Sequence, residues 1–244
     1  MISVLWRTPS WRRLKYALQC PKSWSLLRCL EYECLSTLKL TGRVLDFGGG
    51  RQAKYIELVP EWGDPVSGFV YESANIDPKM EPTFLLTEGE AIPCESACYD
   101  HVISLNTFEH VYALGLAFSE IGRVLKPGGR LSFTVPFIFR VHGHPDDFLR
   151  GTPSFWNRLL AENGFVEIRV EALTWGPFST GLFTSGCPGP FKRLRHYRAL
   201  FSDLVYAGYR YELGVEISGK QSAPIMASPL GYFVTARKCA ENRN

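Results

Sequence analysis

Long apolar runs are missing from this chain of 244 residues. No stretch approaches the roughly 18 consecutive apolar residues that a bilayer-crossing helix needs. Paired cysteines are missing too: the seven cysteines are odd in number and include no C-x-x-C pair, so they read as reduced thiols of a cytosolic protein rather than as a disulfide framework. The closest two, Cys94 and Cys98, have no histidine at zinc-ligand spacing. Charge of one sign is scarce, and a formal net charge of +3 does not by itself imply nucleic acid. The opening MISVLWRTPSWRRLKY lacks a basic segment followed by an apolar one, so no secretory signal is expected and the expected location is cytoplasmic. There is no internal repeat and no low-complexity tract. With 45% hydrophobic and 21% charged residues the composition is that of an ordinary globular protein, long enough to bury a full core as one domain with appendages.

What is present alternates between strand and helix patterns. Residues Ser10 to Leu40 read as two helices broken near Cys20 and Pro21, where proline removes a backbone donor. Arg43 to Phe47 is a short apolar strand ended by glycines, and Gln52 to Leu58 reads as the first turns of a helix stopped by Pro60. Further strands are expected at Gly68 to Asp77, Phe84 to Leu86, His101 to Leu105, Arg130 to Pro136, Phe165 to Val170 and Gly231 to Lys238. Helices are expected at Ala113 to Leu125 and Ser154 to Asn163, and the K-P-G-G after the first of these is turn chemistry. Thr174 to Pro229, rich in Gly, Pro and Ser, shows no clear order. Strands separated by helices predict βαβ units, an α/β fold with a parallel sheet covered on both faces.

VLDFGGGRQ, Val44 to Gln52, carries three successive glycines behind an aspartate. Glycine is costly in ordered structure, so the run marks a sharp turn or a close approach. In an open α/β sheet such a loop lies where ligands bind. Gly48, Gly50 and Ala53 fit the dinucleotide fingerprint, but Asp46 at the strand end would repel a pyrophosphate. A ligand bearing ammonium and sulfonium groups would welcome it.

VLDFGGG resembles the first motif of the class I S-adenosylmethionine (SAM)-dependent methyltransferases. ANIDP, TEGEAIPCESACYDHVISLNTFEHV and EIGRVLKPGGRLSFTVP resemble the motifs that follow it, in the same order. The resemblance implies a Rossmann-like fold, a twisted, mostly parallel sheet of seven strands with helices on both faces. It implies a methyltransferase domain over residues 41–244 with a variable insert at about 174–229, preceded by a helical lid over residues 1–40. SAM would be bound by Asp46, Gly48, Gly49 and Gly50 on the methionine side, by Asp77 at the ribose, by Glu88, Gly89, Glu90 and Ala91 around adenine, and by Asn106 beside the acceptor. Gln52 stands where a third motif glycine is often found, and Glu88 where aspartate is usual.

The acceptor is read from the loop VPFIFRVHGHPDDFLR. His142 and His144 are expected as general bases for a poorly nucleophilic hydroxyl, with Asp146 or Asp147 orienting them; a turn tied down by the same side chains and a metal site are the alternatives. No metal ligands are assigned. Together with SPLGYFVTARK, this loop resembles methyltransferases of bacterial surface-polysaccharide biosynthesis, which implies O-methylation of a sugar or other small acceptor, free or lipid-linked. Quinone, lipid or secondary-metabolite acceptors, or cofactor binding without turnover, are the rival readings. Arg7, Arg12, Arg13, Lys15, Lys22 and Arg28, interleaved with Trp6, Trp11 and Trp24, fit either a solvated lid over the cofactor or a surface resting on an anionic membrane. No nucleic-acid partner is expected.

Overall fold

Alternation of side chains along Arg43–Phe47 (β2) sets the frame. Val44 and Leu45 are both fully buried on opposite faces of the strand. Leu45 packs with Val102, Phe118 and Phe133 on one side, and Val44 with Leu35, Leu40 and Ile103 on the other. A strand covered on both faces is a central strand of a parallel sheet. The structure is a computed structural model and describes residues 3–21, 23–50, 68–143, 146–219 and 228–240. The helix expected from Gln52 to Leu58, its stop at Pro60, and His144 lie outside the described residues.

The other strands are Val4–Arg7 (β1), Val70–Asn75 (β3), Phe84–Leu85 (β4), Tyr99–Leu105 (β5), Leu125–Pro136 (β6), Phe165–Leu173 (β7), Glu216–Gly219 (β8) and Gly231–Lys238 (β9). They form one sheet in the order β4-β3-β2-β5-β6-β9-β7-β1-β8. The run from β4 to β6 is parallel. Strand β9 then lies antiparallel between β6 and β7. The fold is the expected Rossmann-like one, but the sheet has nine strands where seven were expected. The additional pair is β1 and β8, four residues each, which zip together antiparallel at one edge while β1 also joins β7 in parallel. Segments so short carry no periodicity of their own; partners more than 160 positions away define them.

Helices Leu114–Val124 (α3) and Pro153–Glu162 (α4) put Phe118, Ile121, Trp156 and Leu160 on one face of the sheet. Trp11–Gln19 (α1), Leu26–Leu35 (α2) and Lys192–Arg210 (α6) cover the other with Leu14, Leu27, Leu30, Leu200 and Leu204. Ser10, Ser25 and Thr152 cap α1, α2 and α4 by accepting from the N–H three residues on. The K-P-G-G segment lies within β6 as a bulge rather than before it. Tyr99 pairs with Leu125 but His101 with Arg130, and Gly128 takes up φ +77°. In the unordered stretch after Thr174, Pro177–Thr184 (α5) is capped from a distance. The buried Asp203 of α6 accepts from the N–H groups of Phe178 and Ser179, each at 2.8 Å.

The N-terminal segment is tied into the body through Arg13. Its guanidinium is bidentate to Glu33 at 2.7 Å, donates to the carbonyls of Arg7 and Thr8, and lies over the Trp175 ring at 5.2 Å. Trp6 is wholly buried and donates to the Thr174 carbonyl. Removing Arg13 strands Glu33 and two carbonyls, so Arg13→Ala should cost about 3 kcal/mol in urea denaturation. Arg13→Lys should recover little of this, because an ammonium cannot make the paired contact; full recovery would show that charge alone matters.

Candidate active site

Strands β3 and β4 lie beyond β2, and β6 lies beyond β5, so the order of strands reverses between β2 and β5. Reversal opens a crevice at the carboxyl ends of that pair. The glycine loop leaves β2 there and Asn106 leaves β5 beside it. Gly48 has φ +91° and its N–H donates to the Ala74 carbonyl. A Cβ on Gly48 would fall 2.0 Å from Thr107 Oγ1, and one on Gly49 only 1.8 Å from Asp46 Oδ2. The close approach that the glycines allow is thus made in part by the protein's own groups.

Asp46 lies beneath this loop, 1% exposed. Oδ2 accepts from the Tyr71 hydroxyl at 2.6 Å, while Oδ1 has no hydrogen-bond partner among the described residues. Burial pushes its carboxyl up to about 7, against the opposing pull of the Tyr71 hydrogen bond. The loop is held from the other side by Asn75, whose amide donates to the Gly48 and Gly49 carbonyls at 2.7 and 3.1 Å. Asp77 is half-buried and caps the short turn Pro78–Met80 by accepting from the Lys79 N–H. Glu88, Gly89, Glu90 and Ala91 form an exposed turn in which Glu90 accepts from the Thr87 N–H. Asn106 adopts the left-handed conformation, φ +49°, rare for a residue with a side chain, and its Oδ1 is buried without a hydrogen-bond partner among the described residues.

Next to Asn106 is a cavity of about 70 Å³, lined also by Arg28 and Glu31 of α2, Glu109, Phe139 and His142. Glu31 is fully buried, with Arg28 3.6 Å away. Burial raises its carboxyl above the usual range, the Arg28 charge opposing. Glu109, in the turn Phe108–His110, is 1% exposed, and burial pushes it up to about 8. Neither Glu31 nor Glu109 has a partner in full hydrogen-bond geometry for either carboxylate oxygen among the described residues, although Asn106 and Thr134 lie close enough to Glu31 to oppose the rise, and His110 Nε2 is 3.6 Å from Glu109. Buried polar atoms are normally satisfied, so such a concentration around one cavity marks a place built for a ligand.

Of the three residues expected to be catalytic, His142 lines this cavity and His144 lies outside the described residues. The side chain of Asp146 is exposed; its carbonyl, not its carboxylate, reaches the site by accepting from His110 Nδ1. Asp147 does the orienting: its Oδ2 accepts from the His142 backbone N–H at 2.8 Å while Arg150 grips the carboxylate and holds it down at about 2. Sequence reasoning did not assign Glu31, Tyr71, Asn75, Glu109 or His110 to the site. For Glu31 a signal existed. It sits at helical spacing with Leu27, Leu30, Cys34 and Leu35, an acid on an apolar stripe.

Comparison with known proteins agrees with this geometry. Residues 45–133 match the family model described as a methyltransferase domain. No curated protein matches the chain. Among solved structures, phosphoethanolamine N-methyltransferase 2 of Haemonchus contortus in complex with SAM superposes with TM-score 0.51 at 17% identity, covering 95% of this chain and 54% of that one. This chain therefore spans about half the length of that neighbour. A putative sarcosine dimethylglycine methyltransferase of Galdieria sulphuraria gives 0.50 at 20% identity, covering 86% and 84%. A putative methyltransferase of Haloferax volcanii, in complex with the Trm112 activator, gives 0.55 at 15% identity, covering 88% and 90%. At these identities the structural likeness is one of fold. Residues 45–133 are thus similar to a methyltransferase domain, and the chain folds like class I methyltransferases, which use SAM. The residues at the crevice fit that cofactor: a loop without side chains, a buried carboxylate oxygen without a partner beneath it, and a second unpartnered oxygen on Asn106.

Asp46→Asn keeps an acceptor for Tyr71 and removes the charge. Folding raises the carboxyl above its ordinary value near 4. The stability that Asp46 contributes is therefore fullest in acid and is lost as pH rises through about 7. Relative to the natural protein the variant should gain stability across that window, by about 4 kcal/mol at its upper end. Urea denaturation between about pH 4 and pH 8 measures this, and a difference that does not change with pH would contradict it.

Proposed function

We propose that this chain transfers the methyl group of SAM to an oxygen of a small acceptor, a sugar or comparable hydroxyl compound, in the assembly of a surface polysaccharide. The observation that carries the reading is the cavity walled by Glu31, Asn106, Glu109 and His142 beside the glycine loop. At about 70 Å³ it holds the reacting end of an acceptor and leaves the remainder outside. SAM, when bound, supplies a methyl carbon already made electrophilic by its sulfonium. The chain's task is to hold the acceptor in line with it and to favour loss of the acceptor's proton. Asn75 and Tyr71 keep the glycine loop and Asp46 in place, so that a carboxylate backs the ammonium end of the cofactor. Asp77 and the Glu88 to Ala91 turn are assigned to ribose and adenine, and Asn106 to the border between cofactor and acceptor. The acceptor's oxygen is assigned to the His142 corner, where Asp147 fixes the loop.

A second reading has support of its own. Two buried carboxylates without hydrogen-bond partners among the described residues suit an amine, from whose N–H groups they can accept. The Haemonchus and Galdieria neighbours are named for nitrogen acceptors. Incubation with SAM and separate glycan and amine pools, followed by mass spectrometry for added methyl groups, distinguishes the two. His142→Ala should lower kcat by about 100-fold and leave SAM affinity nearly unchanged. A SAM affinity that falls in parallel with kcat would move His142 out of the acceptor site.

We assign the protein to the cytoplasm, in peripheral contact with the membrane that carries a lipid-linked acceptor. No helix among the described residues is long and apolar enough to cross a bilayer. Arg7, Arg13 and Arg28 are paired with Glu171, Glu33 and Glu31, which removes them from any membrane surface. Support comes instead from α6, where Leu194, Phe201, Val205 and Tyr209 are 50–85% exposed along one face beside exposed Lys192, Arg193 and Arg198. Trp11, 64% exposed, lies against Phe201. The protein should float with anionic vesicles and not with neutral ones, and the double variant F201E/V205E should stay unbound. Equal flotation of variant and natural protein would reject this surface.

A further inference from the structure

Glu109, His110 and His142 gather one carboxylate and two imidazoles from separate parts of the chain, the turn after β5 and the loop after β6. One ligand atom of each lies within 4.8 Å of the others. The two rings meet edge to face with centroids 5.0 Å apart. His110 Nδ1 is bonded to the Asp146 carbonyl. A carbonyl can only accept, so Nδ1 carries the proton and the lone pair of the neutral ring is on Nε2, 3.6 Å from Glu109 Oε1. His142 repeats the pattern. Its Nδ1 is 3.3 Å from the Arg140 carbonyl and 3.4 Å from Asp147 Oδ2, both of them acceptors, which directs its lone pair to Nε2 as well. Arg150 in turn holds Asp147. Carbonyl or carboxylate partners behind each imidazole are the outer layer that metal-binding histidines require.

A second observation is independent of the rings. Glu109 is 1% exposed, lines the cavity, and has no hydrogen-bond partner for either oxygen among the described residues. A buried carboxyl in that state either keeps its proton or takes a cation beside it, and the two imidazoles supply the further ligands that a metal cation would use.

We propose that Glu109, His110 and His142 bind a first-row divalent cation of the zinc class, with an open coordination position facing the cavity. Two imidazole nitrogens and one carboxylate oxygen make the three-ligand set of open zinc sites, and they disfavour magnesium, which takes oxygen ligands in octahedral geometry. The ion would hold the oxygen of the acceptor, and this role rests on the function proposed above. Binding of the ion does not. His142 and its neighbours drew attention in the sequence as a possible metal site lacking a fixed third ligand; Glu109 and His110, more than 30 positions upstream, supply it.

The test uses untagged full-length protein stripped with a chelator. Calorimetric titration should find one equivalent of zinc(II), and both Glu109→Gln and His142→Ala should weaken it by more than about tenfold. Cobalt(II) should give ligand-field bands without thiolate charge transfer, which separates this site from the seven free cysteines. Zinc binding unchanged in both variants, a cobalt spectrum dominated by thiolate, or a natively folded protein that takes up no zinc overturns the proposal. Should Glu109→Gln fail to fold, His142→Ala decides, since that side chain is 35% exposed. SAM titrated into the same samples keeps the two readings apart. A protein that binds SAM and not zinc refutes the ion alone, and one that binds zinc and not SAM refutes the methyltransferase reading alone.

Discussion

The site depends on how α2 packs on a face of the sheet beside Asn106 and Pro136, at the ends of β5 and β6. Leu27 and Leu30 anchor the helix in the core shared with Trp175 and Leu200, and Leu35 anchors its far end against Val44 and Ile103. With both ends fixed, Glu31 has nowhere to go but into the gap above the strand ends. Withdrawing a carboxylate from water costs several kcal/mol when nothing replaces the lost hydration. The helix accepts this cost because of the apolar area it covers. The result is a wall of unsatisfied oxygens opposite Glu109, with Asn106 between them. A ligand entering there recovers what folding gave up.

The same logic applies one strand over. Asp46 is buried by β2 and β3 together and is steadied by Tyr71, a residue of the neighbouring strand. The glycines above it are required by what lies around them: Asp46 itself, Thr107 after β5, and the Asn75 amide that bonds their carbonyls. Loop, carboxylate and tyrosine thus form one packed unit, and a change to any of them is felt by the others.

Much of this was legible in the sequence where a local pattern decides the structure. Arg43 to Phe47 and Gly231 to Lys238 are the strands observed, and the helices before and after Pro21 lie where the spacing put them. The glycine loop announced its place at the strand end, because glycine in that setting has a backbone meaning. What escaped was set by partners far away. Val4–Arg7 and Glu216–Gly219 are strands only because each finds the other. Helix α5 is capped by Asp203, some 25 positions downstream. Glu31 could have been suspected as an acid on an apolar stripe, but only the fold shows it facing Glu109. Which of Asp146 and Asp147 reaches the His142 backbone, left open by the sequence, turns on loop geometry that adjacent identical residues cannot reveal.

The pairing of β1 has a consequence for how the chain is made. Val4 to Trp6 are synthesised long before their neighbours, Val170 to Ala172 and Ile217 to Gly219. Until those neighbours are made, this apolar segment, which includes Trp6, has no strand to join. Contacts so distant in sequence form late and slowly, and an unpaired hydrophobic edge invites association with other nascent chains. Strands β7 and β8 therefore complete the fold of β1, and translation that stops short of them leaves it uncovered.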